Sequence, residues 1–335
     1  MRNNISKIVT LLTTLLILSS NCNSEEKDKY YTITLENDII SGADGGYTNG
    51  LGFSWAKGPF NDFNGNIPSW MHSLTKDLTI STAANKKRAV SYFIAQGMQT
   101  ANDITISSLV EEDAPYVGLL LWKASLYSFD EEVGDRLSLT LGIVGPASLA
   151  EKIQKGVHSL TGSDEPLGWD NQIENEVVFR LSMLRSRQIY QSEVNNGRSF
   201  DLVTNLAAGL GTIKSDMGGG LILRYGQGLS RSFQTASHLP GRDINPLAGG
   251  TANSWNVYLS LTGSYVLNSI ATDGNTFRDS HSVELRHEQS LINFGASFSI
   301  GDWAYVISVA RGSELYETQQ GKTKFGSMSA TYNFK

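Results

Sequence analysis

One cysteine, seven prolines and no long apolar run set the first limits on this 335-residue chain. A lone Cys22 leaves no disulfide framework and no multi-cysteine metal site. The longest apolar stretch, residues 8–19, is too short to cross a bilayer as a helix. With a mean hydropathy of −0.20, this excludes a helical membrane bundle. A basic excess is missing too: 27 Lys and Arg against 33 Asp and Glu give a net charge of −6. Nucleic acid is therefore not an expected partner. No G-x-S-x-G, H-E-x-x-H, Walker loop or complete G-x-G-x-x-G occurs, which removes serine-elbow hydrolases, zincins and nucleotide binders.

What is abundant is glycine, at 33 residues, with thirteen tyrosines and thirteen phenylalanines. That composition favours strands and turns over disorder. The first 24 residues read as an export signal: Arg2 and Lys7, then the apolar run, then small residues before Glu25-Glu26. Leu18-Ser19-Ser20-Asn21-Cys22 is only a poor lipoprotein box, because asparagine precedes the cysteine. Removing residues 1–24 would leave a cysteine-free domain over 25–335, suited to an oxidising compartment.

That remainder alternates. From Trp255 to Leu267, large apolar residues at odd positions are interleaved with Asn256, Ser260, Thr262 and Ser264. The period of two returns over 137–143 and over 327–334. A soluble sandwich alternates as well, but these strands are long, about nine to fourteen residues, the length a membrane strand needs. Tyr127, Phe129, Trp255 and Tyr332 sit near strand ends, where aromatic girdles belong. The reading is an all-β transmembrane antiparallel barrel, closed because lipid tolerates no open sheet edge. About twelve strands are expected: 30–37, 49–57, 89–99, 118–129, 135–145, 176–191, 199–211, 217–229, 254–268, 281–299, 302–312 and 322–334. Residues 58–88 and 230–253 are long connections within this one domain.

If the first strand starts on the periplasmic side, loops 38–48, 100–117 and 146–175 share the outer rim. Glu36-Asn37-Asp38, Asp44 and Tyr47-Thr48-Asn49-Gly50 gather at the first loop. Asn102, Asp103, Glu111, Glu112 and Asp113 lie in the second. The third predicts a helix from Pro146 to Gly162, with Leu149, Ile153, Val157 and Leu160 on one apolar stripe that is expected to be buried over the barrel rim. Gln154 and His158, four apart, share an adjacent face. Gly156 within that helix implies close approach to the barrel wall. His72, His238, His281 and His287 have no partner pattern and read as structural or exposed.

The chain resembles the outer-membrane lipid A 3′-O-deacylases, a family of twelve-stranded barrels. The resemblance runs through Leu35-Glu36-Asn37-Asp38, Tyr47-Thr48-Asn49-Gly50 and Gly142-Ile143-Val144-Gly145-Pro146. It continues through Gln154-x-x-x-His158 and the segment Gly168 to Glu176. It implies hydrolysis of a 3′-O-linked acyl ester of lipopolysaccharide. His158 then matches the catalytic histidine, Gln154 the helix glutamine, Thr48 the loop hydroxyl, and Asn37 and Asp38 the asparagine–aspartate pair. The acid that follows the histidine is Asp164 or Glu165. The implied cofactor is Ca2+, with Asp38 as ligand; the implied partners are lipid A and outer-membrane lipid around a monomer. Ala114 stands where an arginine is common, and no basic residue lies between Gln99 and Tyr116, so a weaker hold on substrate phosphates is expected.

The residue types fit that chemistry. A neutral imidazole takes a proton from water near pH 7, a nearby carboxylate steadies the ring, and a hard cation suits oxygen ligands at a developing oxyanion. Two other readings stay open on sequence: a related esterase acting on phospholipid, and a passive porin or adhesin.

Overall fold

The structure, a computed structural model, describes residues 29–37, 47–229 and 253–334. The export segment, Asp38, Asp44 and His238 lie outside the described residues. Twelve strands form a closed barrel in which each pairs antiparallel with its sequence neighbours and β1 pairs with β12. They are β1 (Lys29–Asn37), β2 (Tyr47–Phe60), β3 (Lys87–Gln99), β4 (Val117–Phe129), β5 (Val133–Val144) and β6 (Glu176–Glu193). Then follow β7 (Arg198–Gly211), β8 (Lys214–Gln227), β9 (Trp255–Ser269), β10 (Glu288–Ile300), β11 (Trp303–Gly312) and β12 (Lys324–Phe334). The register is continuous across the closure, with Lys29 opposite Phe334 and Asn37 opposite Gly326.

The faces are arranged inside out for a globular protein. On β6, Val177, Phe179, Leu181 and Met183 are exposed, while Glu176, Val178, Leu184 and Ser186 are buried. On β9, Trp255, Val257, Leu259 and Leu261 face out and Asn256, Tyr258 and Ser260 face in. The lumen carries the polar groups, and several of them pair with one another, which offsets the cost of burying them. Asp201 accepts both Arg224 Nε at 2.9 Å and Arg224 Nη2 at 2.5 Å, and Gln188 Nε2 at 2.7 Å. Ser125 and Ser138 pair at 2.8 Å, as do Thr32 and Thr331. An apolar outer wall around a polar interior is the arrangement a bilayer selects.

One group of outward-facing aromatics lies toward one end of the wall. Tyr31, Phe53, Trp55, Tyr92 and Trp122 form a run of stacked rings with neighbouring centroids 5.4–6.3 Å apart. The run passes from β1, where Tyr31 pairs with Tyr332, to the Trp303–Tyr332 contact at 4.8 Å. Trp255 belongs to the outer face as expected. Tyr127 and Phe129 do not: register turns odd residues of β4 inward, where both pack with Ala89. Tyr127 Oη instead shares a 3.0 Å hydrogen bond with Ser91 Oγ.

The connections after odd-numbered strands share one rim, hereafter the site rim. At the opposite rim, residues 61–86 hold α1 (Ser69–Thr75) and α2 (Thr79–Thr82). This segment lies back on the outer wall: Phe60, Phe63, Met71 and Ile80 pack with Val90, Ala124 and Leu126. Arg88 fastens it by donating to the carbonyls of Lys86, Ser81 and Ala83. One strand is shorter than its alternation implies. Of residues 281–299, only Glu288 onward is in β10; the preceding residues belong to a loop that pairs with other loops, as in the Leu285–Tyr316 bridge.

Candidate active site

The site rim is built by its loops. Residues 146–148 form a 3-10 turn, and α3 (Ala150–Thr161) follows directly. The helix begins at Leu149, whose φ of 62° is left-handed, and stops at Gly162 with φ 72°. Gly162 suits that stop because it meets no β-carbon penalty, and both Gly162 N and Ser163 N donate to the carbonyl of His158. The reversal brings the chain back beneath the helix. His158 Nδ1 then lies 2.5 Å from the backbone carbonyl of Asp164. A carbonyl only accepts, so Nδ1 carries the proton and the basic lone pair belongs to Nε2. The Asp164 and Glu165 side chains are exposed. A backbone oxygen thus meets the ring at Nδ1.

Gln154 is one turn earlier and 2% exposed. Its Oε1 accepts the indole N–H of Trp169 at 2.7 Å, and Trp169 is 1% exposed. Because the indole only donates, this bond sets which end of the amide is oxygen. Gln154 Nε2 is left buried with no hydrogen-bond partner among the described residues. Trp169 also packs edge-on to Tyr116 at 5.2 Å, in a cluster with Met98, Ala101 and Ala150. Burial pushes the Tyr116 hydroxyl up to about 12. Trp169 lies in the segment Gly168 to Glu176, to which the sequence alone assigned no role.

The seat of α3 is the outer wall, not the lumen. Met98 on β3 pairs with Gly118 on β4, and both belong to the outward parity. A β-carbon at Gly118 would collide with Ser148 Oγ and Ala150 Cβ. Glycine is what allows the helix so close. Gln96 Nε2, also outward, donates to the Ser148 carbonyl at 2.7 Å. The same register row continues from Met98 to Asn49 and from Asn49 to Asn37. With strands about 4.8 Å apart, Asn37 is about 10 Å along that row from Met98. Thr48 sits at the shift in register between Tyr47 and Asn49; such bulges re-aim side chains and recur beside active sites.

Gln154, His158 and the Asp164 carbonyl therefore form one cluster, and Asn37 ends a strand on the same rim and wall face. Asp38 lies outside the described residues, as does the side chain of Thr48. Among the described residues, no three His, Cys, Asp or Glu side chains converge as a metal cluster. Two expectations for α3 are overturned. The stripe of Leu149, Ile153, Val157 and Leu160 is exposed, and Ala150 with Gln154 forms the packed face. Gly156 has nothing within 4 Å of where its β-carbon would be, so it reflects no close approach.

Asp113 and Glu176 tie loops together. Asp113 accepts Asn102 N at 2.7 Å, Ala114 N at 2.8 Å and Tyr316 Oη–H at 2.5 Å. His281 Nε2 meets the Asp113 carbonyl at 2.7 Å, and His287 Nδ1 meets that of Val266 at 2.6 Å. Glu176 accepts from Asn275 Nδ2, Thr276 N and Phe277 N. These bonds lace the loops between β3 and β4, β9 and β10, and β11 and β12 to the base of the α3 loop.

The family model of outer membrane protein LpxR matches residues 8–334. The chain belongs to the LpxR family. Its barrel is similar to that of LpxR from Salmonella typhimurium, with a TM-score of 0.74 at 16% identity, covering 91% of this chain and 100% of that one. The β domain of the Bordetella autotransporter BrkA follows with a TM-score of 0.43 at 9% identity, covering 92% and 98%. No curated protein sequence matches. Family membership places the barrel in the outer membrane, and the LpxR likeness extends to the fold throughout.

Proposed function

We propose that this LpxR-family barrel is a lipid A 3′-O-deacylase, working as a monomer with its site rim facing the cell exterior. The observation that carries the reading is the 2.5 Å contact between His158 Nδ1 and the Asp164 carbonyl. It presets the imidazole as a base, with Nε2 ready to take a proton from water. The water oxygen then attacks the ester carbonyl, and the same proton returns to the departing sugar oxygen as the acyl bond breaks. The buried Nε2 of Gln154 is a donor suited to an acceptor on the reacting ester, where such a donor costs little once paired. A helix seated on the lipid-facing wall also suits a substrate whose acyl chains stay in the membrane.

Asn37 and the segment around Thr48 offer oxygen donors of the kind a hard cation takes. A calcium ion held by Asp38 with their help would stabilise the oxyanion.

Mass spectrometry of lipid A and phospholipid from cells carrying wild type or His158→Ala tests the reading. Wild type should remove the mass of one acyl group from lipid A, and the variant should not. Unchanged lipid A with shortened phospholipid would assign a phospholipid esterase, and no change in either would leave a passive barrel.

A further inference from the structure

The apolar stripe on α3 is exposed, although the helix is firmly held on another face. Ala150 and Gln154 are 1% and 2% exposed against the wall. Ile153 is 41% exposed, Val157 39% and Leu160 81%, and Leu149 at the helix start is 49% exposed. Their spacing of four, then three, residues keeps them on one side of the helix. The polar flank is different: Glu151 and Lys155 form an ion pair at 2.9 Å, and Lys152 is exposed. In a soluble protein such a stripe turns inward to the core. Here it turns away from the packed face.

The wall beneath explains where it turns. α3 and the turn before it rest on Gln96, Met98 and Gly118, all outward-facing. Leu120 is two residues from Gly118 along β4, about 7 Å away. It is exposed, and so are Ile94 and Leu141 in the neighbouring strands. These residues form the apolar wall that the family's membrane setting already assigns to lipid. The helix that carries the stripe is seated on that same wall.

We propose that α3 is an interfacial element: Leu149, Ile153, Val157 and Leu160 enter the boundary between acyl chains and headgroups, so that lipid completes the packing of the helix bearing His158. The occupant is the membrane itself, at the leaflet of the site rim. Such a helix lies in the interface plane with its polar flank in water, and Lys152, Glu151 and Lys155 provide that flank. Resting on the proposed deacylation, this adds how an ester that never leaves the bilayer reaches a rim loop: the helix meets it at its own depth.

The direct test is depth. In a Cys22→Ser background, nitroxide labels at Val157→Cys, Leu160→Cys, Lys152→Cys and Leu120→Cys are compared in phosphatidylcholine vesicles containing lipid A. Oxygen reports lipid exposure and a water-soluble nickel complex reports water. Positions 157 and 160 should favour oxygen as position 120 does, while position 152 should favour nickel. Nickel access at 157 and 160 equal to that at 152 would overturn the proposal. Low access to both reagents would overturn it too, in favour of a protein cover such as a second copy.

An activity arm adds a second readout. Leu160→Asp should lower turnover on vesicle-embedded lipid A about tenfold or more and leave detergent-dispersed turnover within about twofold. An equal loss in both media would mean the stripe serves helix folding instead. Heat-modifiable migration on gels confirms that each variant is still a folded barrel. If wild type proves inactive on lipid A, the deacylase reading falls while the depth measurement still decides this one.

Discussion

The indole N–H of Trp169 donates to Gln154 Oε1 at 2.7 Å, with both side chains almost wholly buried. The bond joins the segment after α3 to the helix itself and fixes an amide that could otherwise rotate by half a turn. Trp169→Phe keeps an aromatic ring against Tyr116 but loses the donor. Turnover should drop by up to about tenfold, as one net hydrogen bond allows, with gel migration unchanged. Steady-state kinetics check this. A wild-type kcat in Trp169→Phe would mean that the amide orientation plays no part.

His158→Ala should remove most acyl release, about 10²–10⁴-fold for one positioned base. Thermal stability should barely move, since the ring touches a loop carbonyl rather than the strand ladder. Asp164→Asn retains that carbonyl and should cost at least tenfold less than His158→Ala; Glu165→Gln serves as its companion. A loss in either as deep as that of His158→Ala would give the orienting role to the carboxylate.

Calcium removal makes a separable prediction. Chelation should abolish acyl release while heat-modifiable migration persists, because the strand ladder closes the barrel through its own backbone pairing. Asp38→Ala should raise the calcium requirement or end turnover. Full turnover by Asp38→Ala in excess chelator would remove the ion from the scheme.

The packing of the loops should depend on alkaline pH through Tyr116. Burial raises its hydroxyl to about 12, against about 10 for a free tyrosine. The raised value favours the neutral form in the fold. Its contribution is therefore complete below about pH 10 and is lost as pH climbs through about 12. Near-ultraviolet circular dichroism should report loosening around Trp169 in that window, with a smaller pH response in Tyr116→Phe. Identical curves for the two proteins would refute the assignment.

The strands were legible because membrane strands write their period of two over many residues, as Trp255 to Leu267 does. Pairing was not. Tyr127 and Phe129 stand near a strand end, but only the register of β3, β4 and β5 shows that they point into the lumen. Residues 281–287 alternate like a strand because they make strand-like bonds locally, such as Val283 N to Thr272 O, without joining the barrel. For α3, helical spacing identified an apolar side but could not say whether protein or lipid would cover it. His158 and Gln154 could be found by their four-residue spacing. Trp169 could not be placed beside them, because its bond depends on the chain reversal at Gly162.

The loop between β5 and β6 has one further consequence. It leaves and returns through a closed base: Val144 pairs with Glu176, and Gly145, at a φ of 93°, passes so close to Glu174 that a β-carbon would sit 2.7 Å from its carbonyl. The ladder below is complete whatever lies between those ends. Residues 145–175 are in this sense a cassette, docked by a glycine notch on the wall and removable without unzipping a strand. Grafted between other strands with a matching notch, it would carry its histidine along; exchanged here for another loop, it would leave the same barrel with different chemistry.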